Sequence, residues 1–340
     1  MRLLVFALLL IACSPAFAES AGVKEALMQA PARATDAEWQ TDGLDHVMLW
    51  TDNIDRTTSV FTVKLGFQVR PGGDFGDGVA NRLLRIGDES YIELLYTTRA
   101  RAELNEMTRK EIDAVRAGTG ARTFAVHPLD LDKVGGFLRD RGFELDPPSP
   151  LTYDPDGAGP LPATPSDWRT VSFTKSPMTF GDLFFISYAE EHPTPQQTID
   201  RAITREHPNG ARAWTSIWLL SSDLAGDRKA FERMGFADLG EVDLPQVAAH
   251  GVRLQAGPDT VIVLAPQGDG IAAHALAKRG THILGVSIGV KDIDQAQRLV
   301  QRGYGTTLAR YAGPEGDSIL APTYDDLGLL VEFHALSVQQ

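Results

Sequence analysis

A histidine and a glutamate stand inside two apolar segments of this chain, and both residue types can do chemistry. His46 lies in "LDHVMLWTDNID", residues 44–55, and Glu93 lies in "YIELLY", residues 91–96. A histidine in an apolar strand is usually a core residue with a hydrogen-bond partner. The alternative is a ligand or an acid–base group that points into a cavity. The elements around these residues bear on the choice.

A repeated pattern organises the chain after residue 43. Four segments share an apolar run, an Asp beside Ile or Leu, a helical stretch, and a Gly followed by a residue that is usually aromatic. Asp caps a helix by accepting hydrogen bonds from its first free N–H groups, and Gly adopts the left-handed conformation that ends one. We therefore predict four helices that run from near each aspartate to near each glycine: Asp52 to Gly66, Asp130 to Gly142, Asp223 to Gly235, and Asp292 to Gly303.

The first of these helices conflicts with local propensity. Its segment "TTSVFTVKL" is rich in β-branched residues, which by propensity alone favour a strand. The repeat takes precedence here, because the aspartate and the glycine occupy the places that they have in the other three segments. Three strand-like runs follow each glycine, so the chain is predicted to contain four βαβββ modules.

These modules set the fold class and the domain boundaries. A βαβββ module cannot bury its sheet alone, so modules are expected to pair. We predict an α+β fold in which four βαβββ modules pair into two cupped mixed β-sheets with the helices outside. Modules one and two form a first domain at residues 43–206, and modules three and four form a second at residues 207–340.

The N-terminal residues are typical of an export signal. "MRLLVFALLLIACSPAFAES" has one Arg, a short apolar run and a small-residue "AFA" that ends at Ala18. We predict a signal peptide at residues 1–18, a linker at residues 19–42, and an exported, periplasmic protein with no transmembrane span in its mature part. Because "LIAC" ends at Cys13 and resembles a bacterial lipoprotein box, lipidation of Cys13 is the alternative to cleavage after Ala18.

Composition and missing motifs exclude several classes of function. The formal net charge is −13 with no long basic block, so nucleic acid is not an expected partner. The only cysteine lies in the predicted signal, which leaves the mature chain without a disulfide or a thiol nucleophile. A GxxxxGK[ST] phosphate loop is absent from the sequence.

The chain resembles the vicinal oxygen chelate superfamily of glyoxalases, bleomycin-resistance proteins and extradiol dioxygenases. Residues 43–210 look most like its glyoxalase-like branch, through "LDHVMLWTDNID", "LGFQVRPGG", "GVANRLLRIGDESYIELLY", "FFISY" and "HPNGA". In that superfamily, the first and fourth strands of two paired modules each direct one side chain at a divalent metal in the cup. Open positions on the metal then let substrate oxygens chelate it.

The resemblance assigns candidate residues to these positions. In module one they are His46 and Glu93, the expected metal ligands and catalytic groups for Zn, Fe, Mn or Ni. In module two they are Thr123 and Ser187, weak ligands that we assign to substrate binding together with Asn81. The set is incomplete, so water, substrate or a further side chain is needed to complete a metal site.

Two further places offer polar groups. The glyoxalase-like branch usually has a His shortly after the "PGG" turn, where this chain has Asp74 and Asp77. These aspartates are either a replacement carboxylate or turn formers. The second cup offers Glu332, with His334 nearby on the same strand face.

The resemblance implies an exported glyoxalase-like or dioxygenase-like protein that acts on a small molecule with vicinal oxygens. A divalent metal at His46 and Glu93 would polarise those oxygens, or one of the two residues would act as an acid–base group. These residues do not by themselves distinguish catalysis from ligand binding. The alternatives are a non-catalytic protein that sequesters an apolar or aromatic ligand, and a scaffold whose second half serves only to form a homodimer.

Overall fold

The computed structural model describes residues 39–87, 90–115, 118–146, 168–188 and 194–336. The predicted signal peptide, Cys13 and residues 19–38 of the predicted linker lie outside these ranges. The first strand, β1 (Thr41–Thr51), begins inside the predicted linker. Trp39 before it is buried and donates from Nε1 to the carbonyl oxygen of Met234 at 2.8 Å. Residues 39–42 therefore belong to the folded part of the chain.

The first two modules follow the predicted order with one reduction. Module one consists of β1, α1 (Ile54–Ser59) with a π-helical continuation (Val60–Lys64), β2 (Arg70–Asp74), β3 (Val79–Ile86) and β4 (Ser90–Thr97). A connecting helix, α2 (Glu106–Val115), leads to module two. Module two consists of β5 (Thr119–Pro128), α3 (Leu131–Asp140), β6 (Trp168–Ser172) and β7 (Asp182–Tyr188). Within the described ranges, its remaining strand is represented by an isolated bridge between Leu145 and Phe173.

The last two modules are complete. After α4 (Pro195–Arg205), module three consists of β8 (Ala211–Leu220), α5 (Leu224–Arg233), β9 (Ala237–Leu244), β10 (Ala249–Ala256) and β11 (Asp259–Pro266). After α6 (Ile271–Arg279), module four consists of β12 (His282–Val290), α7 (Ile293–Tyr304), β13 (Tyr311–Gly313), β14 (Gly316–Ala321), α8 (Tyr324–Leu327) and β15 (Leu330–Ala335). The sequence pattern did not indicate the connecting helices α2, α4 and α6.

The modules pair as predicted. Modules one and two form a seven-stranded sheet in the order β2-β3-β4-β1-β5-β7-β6. Modules four and three form an eight-stranded sheet in the order β13-β14-β15-β12-β8-β11-β10-β9. Both sheets are mixed and curled, which confirms the predicted α+β fold. The concave face of the seven-stranded sheet is called the first cup, and that of the eight-stranded sheet the second cup.

The main hydrophobic core lies on the outside of both cups. Val47 and Leu49 of β1, Phe231 of α5 and Phe333 of β15 belong to one continuous buried cluster that spans the two sheets. The rings of Phe67 and Phe333 stack across the halves with centroids 5.6 Å apart. Burial of such apolar area supplies roughly 25 cal/mol per Å², so this layer of helices and convex faces joins the two cups.

Two of the connecting helices pack on the inner faces of the cups instead. Val115 of α2 is clustered with Trp50 and Leu95 in the first cup. In the second cup, Ala272 and Ala275 of α6 join an equivalent cluster. One end of each cup is thus closed by apolar side chains. No helix among the described residues is long and apolar enough to cross a membrane.

The helix starts were predicted correctly in three modules and to within one residue in the fourth. Asp130, Asp223 and Asp292 accept from backbone N–H groups three residues further on. In module one the cap is Asn53, whose Oδ1 accepts from Arg56 N at 2.9 Å, instead of the predicted Asp52. "TTSVFTVKL" is helical as the repeat predicts, and its β-branched segment forms the π-helical turn, closed by Leu65 N donating to the Val60 carbonyl.

The fourth helix ends one residue beyond the predicted glycine. Gly303 lies inside α7, and the residue with positive φ that ends the helix is Gly305, at 64°. A Cβ on Gly303 would lie only 2.3 Å from the carbonyl oxygen of Lys64. Gly303 is therefore required for the close approach of α7 to the helix of module one, because any side chain would collide with backbone there.

Candidate functional site

The first strand of every module carries a β-bulge at the same place. The register of the β1–β5 and β8–β12 ladders shows one extra residue eight positions before each helix cap: Asp45, Arg122, Thr215 and Leu284. A bulge leaves two residues opposite one partner and re-aims the side chains beside it. In β1 it directs both Asp45 and His46 toward the first cup. Strict alternation predicts Asp45 on the other face, so the sequence pattern alone does not indicate that it belongs to the site.

Asp45 fixes the orientation of the His46 ring. His46 Nδ1 lies 2.5 Å from Asp45 Oδ1, and both side chains are almost fully buried. The imidazole stacks on the ring of Tyr91 at 4.6 Å and meets the edge of Phe184 at 5.4 Å. Because an ionised carboxylate only accepts hydrogen bonds, Nδ1 carries the proton. In the neutral ring the lone pair is then on Nε2.

Glu93 faces that free nitrogen. Its Oε2 lies 3.8 Å from His46 Nε2, and its Oε1 accepts a 2.6 Å hydrogen bond from Asn81 Nδ2. Asn81 Oδ1 in turn accepts from Gly73 N at 2.7 Å, which fixes the orientation of the amide. The structure therefore brings His46, Glu93 and Asn81 together, and their catalytic, metal-binding and substrate-binding roles stay predictions.

Two tyrosines meet across the mouth of the first cup. Tyr188 OH on β7 donates to Asp45 Oδ1 at 2.8 Å and lies 3.2 Å from Tyr91 OH on β4. Burial, reinforced by the charges of Glu93 and Asp45, raises the pKa of Tyr91. Burial also raises the pKa of Tyr188, so both phenols stay protonated and can donate. Tyr188 is 39% exposed and forms the solvent-facing edge of the site.

The two candidate residues of module two, Thr123 and Ser187, lie on opposite faces of the sheet. Thr123 is buried and paired with Met48 of β1, on the side of the sheet that faces the first cup. Ser187 lies on the face opposite to that of Tyr188 and Phe184, because side chains alternate along β7. In the β5–β7 ladder, Ala125 pairs with Phe184. The corresponding pair in the β1–β4 ladder is Met48 with Glu93. Phe184 thus takes the fourth-strand position that the sequence analysis assigned to Ser187.

The donor set in the first cup falls short of a resident metal site. Among the described residues, no group of three or more His, Cys, Asp and Glu side chains is arranged to hold a metal ion. Phe184 cannot ligate, and Asp45 is engaged by His46 Nδ1. Two strong donor atoms remain, His46 Nε2 and Glu93 Oε2, whereas protein zinc sites use three or four protein ligands.

The loop aspartates act as turn formers. Asp74 Oδ1 accepts from Gly76 N at 2.9 Å, and Asp77 Oδ1 accepts from Val79 N at 3.2 Å. Both bonds connect residues two apart, which is the Asx-turn pattern. Neither carboxylate is thereby assigned to the site of His46 and Glu93.

Comparison with protein families gives a match to a glyoxalase-like domain over residues 44–237, more than half of the chain. The chain belongs to the glyoxalase-like domain family. This places it in the vicinal oxygen chelate superfamily, as the sequence resemblance indicated. The glyoxalase-like match runs from β1 past α5 and so covers the whole first cup. A comparison with curated proteins finds no match.

Solved structures share the fold of this glyoxalase-like chain at low sequence identity. A triple mutant of 4-hydroxymandelate synthase from Streptomyces coelicolor is 13% identical, with a TM-score of 0.62 over 89% of this chain and 94% of that one. The 2,3-dioxygenase LapB from Pseudomonas sp. KL28 is 16% identical, with a TM-score of 0.53 over 89% and 95%. A hypothetical protein from Staphylococcus aureus is 15% identical, with a TM-score of 0.53 over 86% and 98%. At these identities the likeness concerns the fold alone.

Proposed function

We propose that this glyoxalase-like chain is an enzyme that transfers a proton on a small molecule with vicinal oxygens, bound in the first cup. The observation that carries the proposal is the Asp45–His46 pair with Nε2 directed at Glu93 across 3.8 Å. A buried histidine that is oriented by a carboxylate and has one free nitrogen is suited to act as a general base. The glyoxalase-like and dioxygenase-like relatives of the fold support small-molecule chemistry in such a cup.

Each group in the site has a specific role in this reaction. His46 Nε2 takes the proton from a carbon or hydroxyl next to a substrate carbonyl, and the ring becomes an imidazolium. Asp45 and Glu93 flank the ring and stabilise that positive charge. Tyr91, a neutral donor with its hydroxyl near that of Tyr188, can bind the substrate oxygen on which negative charge develops. Return of the proton to a neighbouring atom completes the transfer.

The proposal can be tested before the substrate is known. Small 2-hydroxycarbonyl and 1,2-dicarbonyl compounds are incubated with the purified protein in D₂O, and exchange of C–H for C–D is followed by NMR. We expect exchange with at least one compound class and a loss of about 100-fold or more in His46→Gln, as for removal of a general base.

The matched control for this assay is His274→Gln. His274 is 74% exposed on α6 and pairs with Asp269 at the surface, so its loss removes an imidazole without touching the cup. The control is expected to keep wild-type exchange. Equal exchange in wild type and His46→Gln, or no exchange with any compound of the panel, would contradict the proposal.

Binding without catalysis is the second candidate function, and the apolar end of the cup favours it. Met48 and Phe75 line this end beside the buried Trp50, whose Nε1 has no hydrogen-bond partner among the described residues. A flat apolar ligand with one acceptor fits such a surface. If the chain only binds ligand, His46→Gln should change affinity by a few fold at most, and Met48→Ala should weaken it more.

We also propose that the protein is exported. The support is the N-terminal pattern of one Arg, an apolar run and "AFA" before residue 19. Expression of the full chain in a bacterial host and intact-mass measurement of the product distinguish the outcomes. Loss of residues 1–18 supports cleavage after Ala18, a lipid-modified Cys13 supports the lipoprotein alternative, and an unprocessed chain overturns export.

A further inference from the structure

The second cup contains a buried carboxyl group that the proposed function does not use. Glu332 on β15 is 0% exposed and lies on the strand face of Leu330, toward the cup interior. Ser287 Oγ donates to its Oε2 at 2.6 Å, and Tyr311 OH donates to its Oε1 at 2.5 Å. Both donors are neutral hydroxyls. A carboxylate at such a place is poorly compensated, because burial penalises its charge.

The β13–β14 hairpin lies directly over this carboxyl group. A Cβ on Gly313 would be 2.7 Å from Glu332 Oε1 and 2.5 Å from Ser318 Oγ. At the tip, Glu315 Oε1 lies 3.4 Å from Arg253 Nη2 on β10. β13 is the first strand of the eight-stranded sheet and β10 the seventh, so a contact between them must cross the concave face. The hairpin therefore closes the second cup.

The charged and titratable groups around Glu332 come from several elements. Burial raises the pKa of Glu332 to about 7, although hydrogen bonds from Ser287, Tyr311 and Ser318 favour the charged form. Glu315 at the hairpin tip adds a negative charge, offset in part by Arg253. His334 is the next cup-facing residue of β15; burial lowers its pKa, and its Nε2 lies 2.7 Å from Thr215 Oγ1.

A neutral Glu332 is compatible with the closed hairpin. A carboxylic acid and a hydroxyl each donate and accept, so the contacts to Tyr311 and Ser287 persist when the carboxyl is protonated. Ionisation places a second negative charge beside Glu315 inside the closed cup. Opening of the hairpin relieves it by giving the carboxylate access to water.

We propose that the β13–β14 hairpin is a proton-operated lid, which covers the second cup while Glu332 is neutral and opens when Glu332 is ionised. The closed state is fully stabilised below the ordinary carboxyl value of 4.5 and loses stability as the pH rises toward the closed-state pKa. Above that point no further change is expected. Opening exposes the apolar inner wall around Trp218 and Leu330 to small molecules.

Hydrogen–deuterium exchange of the purified full chain between pH 4.5 and 8 tests the lid. Amides of residues 311–317, in β13 and the hairpin tip, are compared after correction for the intrinsic pH dependence of exchange. In wild type, we expect the opening equilibrium to rise about 100-fold over this range and to level off above neutral pH. In Glu332→Gln, which cannot ionise at this position, the rise should be much smaller, and the part that remains comes from Glu315, whose pKa is also raised by burial.

Two controls keep the test decisive. Tyr311→Phe removes one contact to the lid, so opening should rise about 3- to 10-fold at every pH with its pH dependence retained. Amides of the β3–β4 hairpin in the first sheet should show no corrected pH dependence in any variant. A pH-independent hairpin in wild type, or equal pH dependence in wild type and Glu332→Gln, overturns the proposal. If Glu332→Gln does not fold, wild type and Tyr311→Phe decide by the same criterion.

Discussion

Replacement of Asp45 by Asn is the sharpest perturbation of the proposed site. The carboxylate is 2% exposed and accepts from both His46 Nδ1 and Tyr188 OH. The substitution keeps the shape of the side chain and removes its charge. For two unit charges about 4 Å apart at an effective dielectric constant of about 20, the lost attraction to the imidazolium is about 4 kcal/mol. We therefore expect proton exchange to slow by about a thousandfold.

The assay is the deuterium-exchange measurement on the responsive compound class, with unfolding monitored in parallel. The amide can still hydrogen-bond, so the free energy of unfolding should fall by less than about 2 kcal/mol. Asp42→Asn is the matched control on the same strand. Asp42 lies 3.6 Å from His127 Nδ1, and both are partly exposed, so neither rate nor stability should change measurably. If Asp45→Asn keeps a third or more of the wild-type rate, the role assigned to Asp45 is wrong.

Three further predictions concern stability, and denaturant unfolding measures all of them. Gly303→Ala should destabilise the protein by about 1–3 kcal/mol, because the new methyl group collides with backbone. Gly136→Ala, which has open space around it in α3, should stabilise the protein by about 0.5–1 kcal/mol. The opposite order of the two stabilities would contradict the packing of α7. Asp227→Ala should lower the free energy of unfolding by about 3 kcal/mol or more, because the buried carboxylate accepts two hydrogen bonds from Thr179 and one from Ser221 Oγ. A loss below about 1 kcal/mol would mean that these bonds do not form. Burial lowers the pKa of His207 to about 4, so the unfolded chain takes up a proton at this residue first as the pH falls. His207 should therefore contribute about 2–3 kcal/mol to the loss of stability between pH 6.5 and 4. His207→Gln should remove this contribution, and an unchanged pH profile would refute it.

The parts of the fold that depend on local chemistry were predictable from the sequence. Asp130, Asp223 and Asp292 cap their helices through hydrogen bonds that span three residues, so their meaning is readable in a short window. The repeat added what propensity could not, since it identified the β-branched first helix correctly. The facing positions of His46 and Glu93 follow from module architecture and required the family resemblance.

The remaining parts of the site depend on register between distant strands. Asp45 reaches the first cup only because of the bulge in β1, and a bulge is visible only in the ladder with β5. Phe184 replaces Ser187 for a related reason, because the pairing of β7 with β5 sets which residue stands opposite His46. The adjacent Asp and His of "LDHVM" were the one available signal, and strand alternation argued against it.

The central claim is that His46 acts as an oriented, neutral base with a free Nε2. The most direct test is a two-bond ¹H–¹⁵N correlation spectrum of the purified protein, with the His46 signals assigned through His46→Gln. The claim predicts that the neutral ring carries its proton on Nδ1 and leaves Nε2 unprotonated, with the same pattern after chelator treatment. A protonated Nε2, or an Nε2 signal that shifts when a chelator removes bound metal, would contradict it.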